Sequence, residues 1–337
     1  MNILEYVPVK TYQYHAFLNS IIINHKNYID WFANNYIQLV FFEDLNLDIK
    51  LDYLSENIMS ACPLLNRVIA RNKNLFLDDI DNLNNIIINS ISRGECINLF
   101  VDEYYVPNRT FYKSKHNIHD ILIYDVDLSS NFFSILGYST NAHYQKSLIS
   151  IDEMKLAMNN TNPCFNTFAI MPCDYKFDIQ IFKIMVKEYL YSIDSRENLG
   201  IYLDLGAYNK YFFEEKINPS CVFGLSIYEK VIEKLQICSN SYSFIDYRMA
   251  YLIYEHKINL KEKIYYLQKN GYINDIEEII NGLDEMIQIS NICHRVIIKY
   301  NFSKQKEIIH SVIEKYEFIK AKDKNVFEIL LQKLKKY

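Results

Sequence analysis

Beyond about residue 178 the apolar residues of this chain recur at helical spacing almost without break, and that regularity restricts the second half to a layer of helices. Segments 178–193, 223–237, 244–268, 273–300 and 303–335 each set an apolar stripe on one face and Lys and Glu on the other, as amphipathic helices on a shared core do. The first half has a different rhythm. "YHAFLNSIIINHKNYIDWFANNYIQLVFF" (14–42) reads as an early, largely buried helix through Phe17, Leu18, Ile21 and Ile22, and "NNIIINSISRGE" as a helix ending near Gly94. "ECINLFVDEYYVP" (95–107) turns β-rich, and "IHDILIYDV" and "NFFSILGYS" follow with the polar turn "DLSSN" between them, which predicts a strand and then a hairpin. After "SLISIDEMKLAMNN", a helix capped by Ser150 or Asp152, "TNPCFNTFAIMPCD" offers one more strand. The expected fold class is α+β, with an N-terminal domain over 1–175 and a mainly helical C-terminal domain over 176–337.

At 337 residues, half of them hydrophobic, the chain is long enough to bury a sizeable core. No apolar run approaches the roughly 18–20 residues of a membrane span, and the first residues lack the basic start, apolar stretch and small-residue cleavage site of a signal peptide. The expected location is cytoplasmic, with no membrane partner. A net charge of -5 argues against nucleic acid, whose binders carry a basic excess or stripe. Seven cysteines without a CxxC fit neither a disulfide framework nor a zinc ribbon. With neither GxGxxG nor GxxxxGK[ST] in the sequence, nucleotide cradles are unsupported, and neither a metal nor a cofactor is expected.

The chemistry-bearing residues gather at the hairpin. Strand alternation turns His119, Ile121 and Ile123 to one side and Asp120, Leu122 and Tyr124 to the other. His116, three residues before His119, falls off that face and reads as a solvent-facing loop residue. A turn centred near Leu128 sets Gly137 across from His119. The second candidate region is the start of the early helix, where His15 is flanked by Gln13 and Tyr14. Asp125 and Asp127 read as turn formers, and Arg248, Glu255 and the neighbouring lysines as structural ion pairs.

"FVDEYYVPNRTFYKSKHNIHDILIYDVD", with "NNYIQL" (34–39), "FGLSIYEKV" (223–231) and "IDYRMAYLIYEHKINLKEKIYYL" (245–267), resembles butirosin biosynthesis protein H and its relatives, whose pattern runs D-x-Y-Y-P, then H-x-x-H, then a Gly-Tyr-Asp turn. The likeness covers most of the chain. It implies a papain-like N-terminal domain and a role beside nonribosomal peptide or polyketide assembly lines. There, an acyl or peptidyl group held as a thioester on the phosphopantetheine of a carrier protein is passed to an amine, forming an amide.

Carried over by residue, the second histidine of the pattern falls on His119, the expected base, while Tyr124 and Asp125 keep the last two places of the turn. The family's catalytic cysteine would fall near Tyr14 or His15 and its orienting acid near Gly137, and this sequence has neither. His119 and His15 are thus the candidate catalytic residues, and Gln13, Tyr14, Asp102 and Tyr124 the candidate substrate contacts. Three accounts remain open: a non-catalytic binding or scaffold member, dimeric through its helical half; direct transfer with His119 as base for the amine; or recruitment of His15 or Cys62.

Overall fold

A computed structural model of the chain describes residues 7–43, 50–54, 62–70, 80–159, 165–195 and 220–337. They divide into two compact units, Met1–Ile29 with Cys62–Tyr175, and Asp30–Ala61 with Lys176–Tyr337. The class is α+β, with an antiparallel sheet and a helical C-terminal half.

The first unit opens with helix α1 (Gln13–Ile22) and carries β3 (Leu65–Ala70), α3 (Ile80–Ser92), β4 (Cys96–Asp102), β5 (Ile118–Asp127), β6 (Phe132–Tyr138), β7 (Tyr144–Ser150), α4 (Ile151–Asn159) and β8 (Phe165–Ile170). The six strands form one sheet in the order β3-β8-β4-β5-β6-β7, and every pairing in it is antiparallel. Alternation gives the sheet two faces. On one, Ile97, Leu99, Val101, Ile121, Ile123, Phe133, Ile135 and Ile149 form a core with Leu83 and Ile87 of α3 and Met154, Ala157 and Met158 of α4. α1 meets the other, where Phe17 lies 6.1 Å from the Tyr144 ring and Ser20 bonds the Tyr144 hydroxyl.

Local chemistry sets the joints. Asp127 accepts from the amides and hydroxyls of Ser129 and Ser130, which closes the β5–β6 turn and pulls its own carboxyl down to about 2. Ser150, not Asp152, caps α4: its Oγ accepts from Glu153 N–H while the Glu153 carboxylate accepts from Ser150 N–H, a reciprocal capping box. Gly94 takes a left-handed conformation just past α3, as a helix C-terminus favours.

In the second unit lie α2 (Tyr28–Asn34, which begins at the boundary), β1 (Leu39–Phe42), β2 (Leu51–Tyr53), α5 (Ile179–Tyr191), β9 (Cys221–Phe223), α6 (Ile227–Asn240), α7 (Tyr247–Lys269), α8 (Glu277–Ser303) and α9 (Glu307–Lys333). β1 is central in a small antiparallel sheet, flanked by β2 and β9. The single helix expected over 14–42 is therefore two helices and a strand. α1 stops at a polar turn in which His25 accepts from Asn27 N–H, and "LVFF", buried throughout, suits a central strand better than one side of a helix.

The four long helices after residue 223 follow the expected segments to within a few residues. α8 and α9 touch at Gly282, where a Cβ would lie 2.7 Å from Val326 Cγ2. The expected ion pairs of α7 exchange partners: Arg248 bonds Asp246, and Lys257 reaches Asp323 of α9 at 2.6 Å with both side chains wholly buried. No helix among the described residues is long and apolar enough to cross a membrane.

Candidate active site on the β5 hairpin

His119 stands at the open end of β5, one residue into the strand, and its side chain is 49% exposed. Its Nδ1 lies 3.1 Å from Asp120 Oδ1 and 3.3 Å from the Nε2 of Gln13, the first residue of α1. Gln13 explains why these groups meet. Its Nε2 donates to Asp120 O (2.6 Å) and Asp120 Oδ1 (2.9 Å), and its Oε1 accepts from Tyr138 N–H (3.1 Å). The regular β5–β6 ladder ends at Leu122↔Leu136, so the side-chain amide stands where the next peptide pairing would be. It satisfies backbone groups of both strands as they diverge.

This network assigns hydrogens. Both Gln13 Nε2 hydrogens are engaged by Asp120, so Nε2 has none for His119. His119 Nδ1–H donates to the Asp120 carboxylate, which leaves the lone pair of the neutral ring on Nε2. The hydrogen bond to the Asp120 carboxylate is the main force raising the imidazole pKa above its ordinary value, with burial opposing it. Asp120 is steadied in turn by Asn98 Nδ2, 3.1 Å from its Oδ2, and Asn98 Oδ1 accepts from Asn166 on β8. A chain of amides across three strands thus fixes the carboxylate that orients the base.

Gly137 does not stand opposite His119. The turn is centred between Ser129 and Ser130, with Asp127 paired to Phe132, not near Leu128; beyond a one-residue bulge between Ile123 and Asp125 the register Leu122↔Leu136, carried on, sets Ser139 there instead. Gly137 has a steric role. A Cβ on it would lie 2.4 Å from Arg109 Nη2, and the buried guanidinium donates to Tyr138 O at 2.5 Å. Gly137→Ala is expected to displace Arg109 and cost about 1–3 kcal/mol of stability, read from urea denaturation.

The other candidates separate. His15 is 1% exposed, its ring 4.4 Å from that of Tyr14 and 6.5 Å from that of Tyr12. Two residues of helix are about 200° of rotation, so Gln13 faces the hairpin and His15 faces away. His15 is buried among these rings. Tyr14 stacks on Tyr12 at 5.8 Å. Tyr124 falls in the bulge with the Lys146 ammonium 5.7 Å from its ring centre. Gln13 has its amide fully committed and serves as a clamp instead of a ligand contact. Cys62 is buried and its thiol is pushed up to about 12 by that burial, which removes it as a thiolate nucleophile.

Asp102 is buried, and its carboxylate is filled by Tyr104 N–H, Asn117 N–H and His116 Nδ1. His116 is the solvent-facing loop residue the sequence suggests, and its Nδ1 is also held by the Asp102 carboxylate at 2.6 Å. Among the described residues no three His, Cys, Asp or Glu gather closely enough to hold a metal ion.

No family model matches the chain, and no curated protein matches it.

Proposed function

We propose that this chain has a papain-like N-terminal domain and acts as an acyltransferase of the butirosin biosynthesis protein H type, taking an acyl or peptidyl group from a carrier-protein thioester to an amine. The observation that carries this reading is the junction of Gln13, Asp120 and His119: a carboxylate-oriented imidazole, open to solvent, beside the start of the first helix. That is where the motif likeness puts the base. His119 Nε2 accepts a proton from the amine as its nitrogen attacks the acyl carbon. The C–N bond forms, the C–S bond breaks, and the proton passes by way of solvent to the departing thiolate. The thioester would sit on the phosphopantetheine of a partner carrier protein, and nothing in this scheme uses a metal.

The test is to incubate the protein with an acyl-loaded carrier and an amine and to follow amide formation by mass spectrometry. Amide is expected above the carrier-only background. Only the unprotonated ring accepts, so the rate rises with pH through a value above that of an ordinary histidine. Asp120→Asn removes the interaction that favours the imidazolium, and the inflection is expected to move to lower pH. An unmoved inflection would place the titration elsewhere. No amide with any carrier tried, together with carrier binding by calorimetry, would instead support the non-catalytic binding member.

A further inference from the structure

Catalysis by His119 leaves a second carboxylate-backed imidazole unused. Asp102 is the last residue of β4, pairing with Ile118, while Val101 beside it pairs with His119. The Asp102–His116 pair therefore lies at the same end of β5 as the base. Oδ1 of Asp102 accepts from Tyr104 N–H and Asn117 N–H, both at 3.1 Å, and Oδ2 meets His116 Nδ1 at 2.6 Å. Burial works to raise this carboxyl, and the hydrogen bonds from His116, Tyr104 and Asn117 outweigh it, holding the group below its ordinary value. An ionised carboxylate only accepts, so His116 Nδ1 carries the hydrogen and Nε2 the lone pair. The ring is stacked on Tyr104 at 4.4 Å and 22°, and the side chain is 63% exposed. Capping the two backbone amides requires Asp102 alone; an exposed imidazole locked in one tautomer adds nothing to that.

We infer that His116 is the nucleophile of the transfer, with Asp102 its positioning residue; the substrate class, a thioester, rests on the acyl-transfer reading above. His116 Nε2 attacks the thioester carbonyl, an N–C bond forms as the C–S bond breaks, and the thiolate leaves with the bonding pair. The acyl-imidazolium so formed keeps its Nδ1–H on the Asp102 carboxylate, which offsets its charge. The amine then attacks the acyl carbon, its proton goes to His119 Nε2, and the imidazole of His116 leaves with its lone pair restored. His119 returns the proton through solvent to the thiolate, so the cycle closes without another reactant. The imidazole thereby takes the place of the thiolate that the family pattern has near Tyr14 or His15 and this chain lacks. Cys62 and Cys96 offer no alternative, since burial pushes both thiols up to about 12.

The probe is a small acyl thioester, S-hexanoyl-N-acetylcysteamine, given to the full-length protein and followed by rapid-quench intact mass spectrometry with peptide mapping. The expected result is one acyl group on the peptide carrying His116. It is absent in His116→Gln, which keeps a side-chain donor for Asp102 and should keep the native circular dichroism. In Asp102→Asn its rate of formation falls roughly a hundredfold or more, with partial recovery in Asp102→Glu, a pattern that loss of a backbone cap alone would not give. An adduct that persists in His116→Gln, or no adduct at His116 in the native protein, overturns the inference. Amide formation that depends on His119 without acylation of His116 would leave the transfer reading standing and remove only the nucleophile. Acyl-His116 without any amide would do the reverse.

Discussion

Replacing Asp323 with alanine is expected to lower stability by about 3–5 kcal/mol, because it strands a charge that has no route to water. Asp323 Oδ2 accepts from Lys257 Nζ at 2.6 Å, Tyr189 OH at 2.6 Å and Tyr228 OH at 3.0 Å, and the Lys257 and Asp323 side chains are both fully buried. Burial drives the Lys257 pKa down and Asp323 opposes it. The aromatic faces of Tyr189, Tyr228 and Phe327, 5.3, 5.8 and 6.0 Å from Nζ, soften the loss without replacing a counter-ion. His256 is held neutral chiefly by burial and then by the charge of Lys257. Its Nδ1 accepts from Lys257 while its Nε2 donates to Ile37 O, so the damage spreads to the segment before β1. Urea denaturation measures the effect. Lys257→Met/Asp323→Leu, which removes both charges, should recover most of the loss, and a double variant as unstable as Asp323→Ala would show that the pair is not the cause.

His119→Ala is expected to lower amide formation by about 10²–10⁴-fold, the usual contribution of a positioned general base. The fold should be spared, because the side chain is half-exposed and Gln13 keeps its bonds to Asp120 and Tyr138 without it. The informative control is Gln13→Ala. It leaves the imidazole in place but removes the amide that ties the diverging strands to α1, so a loss of stability beside a smaller loss of rate is expected. A His119→Ala protein with undiminished turnover would remove the base from the mechanism.

The helical half was legible because a 3.6-residue apolar period survives wherever a helix lies on a core, as it does from α6 to α9. The short strands were not. β9 is three residues long and β3 follows a Cys-Pro pair that reads as a turn. β7, "YQKSLIS", buries only Tyr144 and Ile149, so its alternation carries little apolar signal. At the site, His119 and the 13–16 segment were both visible in the sequence, but the groups that join them were not. The turn is centred between Ser129 and Ser130, a residue and a half past Leu128, which displaces every pairing counted from it, and the one-residue bulge at Tyr124 takes back only one position of that displacement. The tie between His116 and Asp102 likewise needs the β4–β5 register, because it links positions 14 apart across a loop.

The place of β8 in its sheet bears on how the chain comes to exist in the cell. β3 is made early, yet its sheet partner is β8, and β8 also flanks β4. On a ribosome adding roughly 5–20 residues per second, β3 waits on the order of ten seconds for the strand that pairs with it. β1 waits longer, until β9 at 221–223 has emerged. Both sheets are thus sealed by strands made well after those they pair with. A chain cut short before residue 165 would leave β3 and one side of β4 without their partner, surfaces that chaperones bind and proteases cut.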